Sequence, residues 1–342
     1  MTNLFTPFSF KGLELKNRVV MPPMCQYSVG NKDGISNDWH YHHYVSRAIG
    51  GASLIIIEMT DVDPDGRITD YDLGIWSDEQ IPALARIVDA CHAYGAKVGI
   101  QIAHAGRKAE DAEVPVSASP IPFDEKLKTP KELSTEEVKE MVVKFRKGVE
   151  RALKAGVDVI ELHGAHGYLI HQFHSPLTNK RHDEYGQDRT KFGVEIIEAA
   201  KSVMPEDMPL ILRISATEYV EGGYTVEDSV EFAKKYQKAG VDIFHVSSGG
   251  EGPLSATRRP GSHAGYQVPL ARIYKEALNV PVIAVGNLED ATVANAVIGN
   301  EDADLVAVGR GMLRNPYWAI EAAQQLKKET PVPKQYAAAF PK

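Results

Sequence analysis

Between positions 163 and 168 the chain presents two imidazoles and a phenol, His163, His166 and Tyr168, with glycines at 164 and 167. Two imidazoles and a phenol suit a site that polarises a carbonyl and supplies a proton. Pairs of histidines also bind zinc, so residue types alone leave both chemistries open. The preceding run, Val157-Asp158-Val159-Ile160, is apolar enough for a strand buried on both faces. A loop leaving such a strand holds side chains rigidly while their tips stay open to a ligand.

The elements that must position these rings follow a rhythm: a short β-branched run, a Gly or polar loop, an amphipathic helix. Phe8 to Leu15 reads as a short N-terminal β-hairpin around Gly12. Strands are expected at Asn17–Met21, Ser53–Met59, Lys97–Ile102, Val157–Leu162, Leu210–Ile214, Val241–Val246, Val280–Val285 and Ala303–Val308. Helices are expected between them, with Ser77, Ser134 and Thr225 as N-caps and Gly95 as a stop. A Pro- and Ala-rich loop runs from Glu113 to Pro130. Eight near-continuously apolar strands alternating with helices imply a parallel sheet covered by helices. A doubly wound open sheet is the rival arrangement. The recurring Ala155-Gly156-Val157-Asp158, Ala239-Gly240-Val241-Asp242 and Ala303-Asp304-Leu305 favour cyclic repetition. The expected architecture is therefore α/β, a single (β/α)8 TIM barrel over residues 1–342 with the hairpin in front.

Barrel chemistry sits where strands end. Those positions hold Pro22, Pro23, Met24, Cys25, Gln26 and Tyr27; Met59; Gln101 and His104; His163, His166 and Tyr168; Arg213; Ser247 and Ser248; Gly286 and Asn287; and Gly309, Arg310 and Gly311. Loops after the seventh and eighth strands commonly hold phosphate, so Gly286, Gly309 and Arg310 are candidate phosphate ligands. Arg213, leaving a buried strand, needs a partner or an anionic ligand. Gln101 offers a donor and an acceptor to a heterocycle edge. No lysine occupies a strand's last residues, so a Schiff-base aldolase lacks its nucleophile. Carboxylates are missing from the strand ends apart from Glu58 and Glu161, which weakens a metal-dependent hydrolase built on His104, His163 and His166. No Gly-x-Gly-x-x-Gly follows the first strand, so a dinucleotide fold has no support.

Bulk properties narrow the classes further. The net charge of −8 argues against nucleic acid and anionic membrane surfaces as partners. No run approaches the roughly 20 apolar residues of a membrane span. The N-terminus has neither the charged start nor the apolar core of a signal peptide, and two cysteines, Cys25 and Cys91, make no disulfide framework. Both fit a cytoplasmic location.

Assembled, these residues resemble the old yellow enzyme family of FMN-dependent ene-reductases, in its thermophilic-like subclass. The matching stretches are Leu15 to Met21, Pro23 to Ser28, Asp72 to Trp76, Gln101 to Lys108, His163 to His171, Asp183 to Gly186, Arg213 to Ala216 and Val308 to Arg310. The resemblance implies FMN as cofactor and NADPH or NADH as reductant, with small-molecule enones and enals as substrates. It implies FMN contacts at Pro22, Pro23, Met24, Cys25, Met59, Gln101, Arg213, Gly286, Gly309 and Arg310. Substrate contacts would come from Tyr27, His163, Gly164, Ala165 and His166, with no metal. Catalysis would rest on His163 and His166 holding the carbonyl oxygen, hydride from flavin N5, and a proton from Tyr168. A homo-oligomer, dimer or tetramer, is expected, although Gln335-Tyr336-Ala337-Ala338-Ala339-Phe340 lacks the arginine that such tails insert into a neighbour. Met59 stands where the family usually has a smaller residue.

Overall fold

The computed structural model describes residues 2–252 and 261–340. Eight parallel strands form its centre: β1 (Val19–Met21), β2 (Leu54–Asp61), β3 (Lys97–Ala103), β4 (Val159–Gly164), β5 (Leu210–Ser215), β6 (Ile243–Ser247), β7 (Val282–Val285) and β8 (Leu305–Ala307). Each pairs with its sequence neighbour, and β8 pairs with β1 at Val306↔Val19, so the sheet closes on itself. Helices alternate with the strands: α1 (Asp38–Ile49), α2 (Ile81–His92), α3 (Thr135–Lys154), α4 (Lys191–Lys201), α5 (Val226–Ala239), α6 (Val268–Leu278), α7 (Ala291–Gly299) and α8 (Trp318–Gln325). This is the (β/α)8 barrel; the open-sheet alternative is excluded by the β8–β1 pairing.

Alternation along each strand splits the apolar residues into two cores. Outward residues such as Ile55, Ile57, Ile160, Leu162, Leu212 and Phe244 pack beneath the helices. Inward residues Val20, Leu54, Ile56, Val159, Ile211, Ile243, Ile283 and Leu305 fill the lower barrel. The hairpin, Phe8–Phe10 paired antiparallel with Leu13–Leu15, adds Phe8, Leu13 and Leu15 to that inner core. It closes the floor, leaving the strands' C-terminal ends as the open face.

The capping residues act as the sequence predicts: Ser134 and Thr225 each form a capping box, at α3 and α5. Ser77 caps a single 3-10 turn, Asp78–Gln80, and α2 starts only at Ile81, where Pro82 fits the first helical turn. The second strand is longer than expected. It runs past Met59 to Asp61 because a register shift between Ile57 and Met59 absorbs one residue. Met59 is therefore not the strand's end, and Asp61, fully buried, is a strand-end carboxylate beyond the expected two. Leading residues of the sixth and seventh segments, Val241 and Val280, lie outside β6 and β7. Inside the expected Glu113–Pro130 loop a short parallel pairing of Val116–Ser117 with Lys131–Glu132 ties down the ends.

Candidate active site

β4 points Val159, Glu161 and His163 inward and carries the three rings to its upper end. His163 is 4% exposed, and its Nδ1 accepts the Ala165 backbone N–H at 3.2 Å. That bond fixes the proton of the neutral ring on Nε2. His166 stands with its ring centroid 5.3 Å from that of His163, nearly perpendicular, and Tyr168 lies 4.8 Å away on the other side. Three polar rings thus share one wall of the mouth.

The loop that arranges them is held from several directions. His166 adopts φ +58°, a left-handed conformation unfavourable for a side-chain-bearing residue. Its N–H donates to Ser215 Oγ at 3.0 Å, and its Nε2 pairs with Ser247 Oγ at 2.7 Å. Gly250 passes so close that a Cβ there would lie 2.3 Å from the His166 Cα, so only glycine fits. Lys108 reaches back from the β3 loop, donating to the carbonyls of His166 at 2.8 Å and Gly250 at 2.9 Å. Its ammonium sits 5.2 Å from the Tyr168 ring centroid. Behind the loop, Arg107 donates to Glu251 at 2.9 Å, a fully enclosed ion pair. Glu251 and Gln267 are not among the sequence candidates, while Lys108 enters only within the stretch Gln101 to Lys108 and Ser247 only as a strand-end position, neither with a role. Their partners lie far along the chain, and no local spacing encodes them.

Burial sets the protonation of this wall. The imidazoles of His163 and His166 are pushed well below their ordinary pKa, first by burial and then by the Arg213 cation, so both are neutral. Burial, with Cys25 and Tyr27 nearby, pushes the Tyr168 phenol well above its usual value. Burial likewise raises the Cys25 thiol, aided by Glu58 and Asp72, and keeps it protonated. Burial lowers Lys108 to about 8.

A cavity of about 240 Å³ adjoins the wall, lined by Pro22, Pro23, Met24, Arg213, Ser247, Gln267, Gly286, Gly309 and Arg310. It joins the ends of β1, β5, β6, β7 and β8. Gly286 has φ +122°, and a Cβ there would meet Gln267 Nε2 at 2.9 Å. Arg310 is hydrogen-bonded to Asn287 across the rim. Arg213 is 8% exposed, and its Nε has no partner among the described residues. A buried guanidinium so placed awaits an acceptor. Ser247 belongs to both the cavity and the His166 bond, making the two regions one site.

The other sequence candidates distribute around this core. Met59 packs with Ile68, Ala103, Ala105, Cys25 and Tyr168 in a small apolar cluster above β2 and β3. Tyr27 stands at the rim, 47% exposed with φ +51°. Gly164 ends β4, where a Cβ would meet the Arg213 carbonyl at 3.0 Å, and Ala165 is buried. Gln101 lies lower, its Nε2 donating to Glu161 at 2.7 Å. His104 is not grouped with His163 and His166 as a ligand. Its Nδ1 accepts from Gly106 N at 2.9 Å, and burial lowers its pKa to about 4. Among the described residues the one metal-capable trio is His171, Glu218 and Glu251, already engaged by Tyr224 and Arg107.

Comparison with known proteins identifies the family. Residues 3–329 match the model of the NADH:flavin oxidoreductase / NADH oxidase family. The chain is 49% identical over 343 residues to an NADPH dehydrogenase of Listeria monocytogenes serotype 4a (strain HCC23), covering 99% of this chain and 100% of that one. It is 47% identical to an NADPH dehydrogenase of Bacillus velezensis (strain DSM 23117 / BGSC 10A6 / LMG 26770 / FZB42), covering 98% and 99% respectively. Among solved structures, morphinone reductase superposes with a TM-score of 0.81 at 26% identity, over 97% of this chain and 91% of that one. The chain belongs to the NADH:flavin oxidoreductase / NADH oxidase family, as an FMN-linked NAD(P)H oxidoreductase of the old yellow enzyme type.

Proposed function

We propose that this oxidoreductase reduces the activated C=C bond of α,β-unsaturated carbonyl compounds, using NADPH or NADH. The observation carrying this reading is the wall of two neutral imidazoles and a protonated phenol, with ring centroids 5.3 and 4.8 Å from the His163 ring.

The residues present fit FMN. The buried, unpartnered Arg213 Nε and the glycine-lined cavity beside Arg310 match an anionic, phosphorylated ligand. Gly286, Gly309 and Arg310 would hold the phosphate, and Pro22, Pro23, Met24, Cys25 and Met59 would line the ring system. Gln101 and Arg213 would bind its polar edge. When bound, FMN supplies the hydride.

His163, with its proton on Nε2, donates to the substrate's carbonyl oxygen, and His166, its Nε2 held by Ser247, completes the pair from Nδ1. Gly164 and Ala165 keep the backbone between them out of the way, and Tyr27 bounds the substrate at the rim. As negative charge grows on that oxygen, donors already aimed at it stabilise it without rearranging; one such donor is worth roughly 2.7–4 kcal/mol. Neutral imidazoles serve here because an N–H donor, not a net cation, is what the oxygen needs. Tyr168 retains its proton at neutral pH and delivers it to the α-carbon.

Two experiments test the assignment. Replacing both His163 and His166 by Ala is expected to leave FMN bound but to lower kcat/KM for an enone by about two orders of magnitude or more. Loss of FMN instead would mean that the pair belongs to the cofactor seat. Tyr168→Phe should slow the substrate half-reaction roughly a hundredfold while FMN reduction by NADPH proceeds unchanged. Equal slowing of both half-reactions would remove the proton-donor role.

A further inference from the structure

Beneath the mouth lies a polar layer of which the proposed mechanism uses only Gln101. Gln101 on β3, Glu161 on β4 and His245 on β6 all point inward, 2%, 0% and 0% exposed, above the apolar lower barrel. Glu161 Oε1 accepts from Gln101 Nε2 at 2.7 Å, and Glu161 Oε2 pairs with His245 Nδ1 at 2.7 Å. The second contact reaches across β5, between residues 84 positions apart. Within the barrel register Arg213 is flanked by His163 and His245.

Carboxylate oxygens serve as acceptors, so Glu161 sets both partners' orientations. Gln101 must turn its NH2 toward Glu161, which leaves its Oε1 as the free acceptor. His245 must carry its proton on Nδ1. The bare His245 Nε2 accordingly has no partner among the described residues. Burial lowers the His245 pKa despite the adjoining carboxylate, so the ring is a neutral donor.

We propose that Glu161 and His245 are positioning residues for the FMN seat: they lock the Gln101 amide with its acceptor facing the cofactor. His245 acts through Glu161, and Glu161 through Gln101; neither needs to touch the cofactor. This rests on the reading of Gln101 as an FMN ligand, and the test separates the two.

FMN dissociation constants are measured by flavin fluorescence quenching on apoprotein reconstituted from Gln101→Leu, His245→Leu, His245→Asn, Glu161→Gln and the Gln101→Leu/His245→Leu double variant. His245→Leu, which cannot donate, is expected to bind FMN roughly tenfold to a hundredfold more weakly, the loss typical of a hydrogen bond to a charged group. His245→Asn keeps an N–H near the Nδ1 position and should restore affinity to within about threefold. In the Gln101→Leu background the His245→Leu effect should vanish, because the two act in series. Native affinity in His245→Leu, failure of His245→Asn to rescue, or additive losses in the double variant would overturn the proposal. Should His245→Leu not fold, the isosteric Glu161→Gln decides: weakened binding with an altered visible flavin spectrum supports the proposal, native behaviour overturns it. Native affinity in Gln101→Leu alone would instead remove the seat on which the proposal rests.

Discussion

At the scale of single residues, the site depends on a side chain to which the sequence alone assigns no role. Lys108 holds the carbonyls of His166 and Gly250 and lies over the Tyr168 ring, so it fixes the strained backbone at φ +58° that aims His166. Its pKa, lowered to about 8 by burial, places the loss of its charge just above neutrality. Below about 8 the ammonium donates fully; above it the neutral amine donates weakly. The wild type should therefore lose kcat/KM for an enone as pH rises through about 8. Lys108→Met should show a kcat/KM lower by about tenfold and no such limb, from pH profiles measured with saturating reductant. His163, His166 and Tyr168 were legible because their types and spacing sit beside two glycines at the end of an apolar run. Lys108 lies beyond the last residues of its strand, where position along the chain gives it no role. Its long side chain folds back by several ångströms, a reach that spacing along a chain does not record. Glu251 and Gln267 escaped for a related reason: each is defined by a partner on another loop.

At the scale of elements, β2 shows how one irregularity ties structure together. Glu58 accepts from Gln26 N at 2.9 Å and Tyr44 Oη at 2.6 Å, joining β2 to α1 and to the loop after β1. Burial raises its pKa to about 8, above the ordinary 4.5. The folded protein thus holds a proton that the unfolded chain releases between those values. The associated stability is complete below about 4.5 and is lost as pH rises through about 8. Glu58→Gln, which cannot ionise, should flatten this slope, so that its urea midpoint falls less than the wild type's between pH 6 and 9. The strand was expected over Ser53–Met59. In the structure a bulge accommodates Glu58 and the strand resumes to Asp61. Strand and helix identities were carried by periodicity and caps. Their limits depended on pairings with distant strands, as at β7, where Val280 is left outside.

At the scale of the molecule, eight repetitions of strand and helix predicted a cylinder, and the β8–β1 pairing completes it. What repetition did not foretell was the layering inside: apolar below, a buried carboxylate between two neutral partners in the middle, chemistry on top. The hairpin belongs to the lowest layer, with Leu13 1% exposed against the inner core. Leu13→Ala should cost about 2–5 kcal/mol of unfolding free energy in urea titrations. FMN content of the folded fraction should be unchanged, because the hairpin and the cavity occupy opposite ends.

That hairpin also governs traffic. Among the described residues Phe8, Leu13 and Leu15 cork one end, so on the proposed function the electron giver and the electron taker are both expected at the other. Each visitor has to depart before the next is admitted, so double-reciprocal plots at several reductant concentrations should run parallel instead of converging.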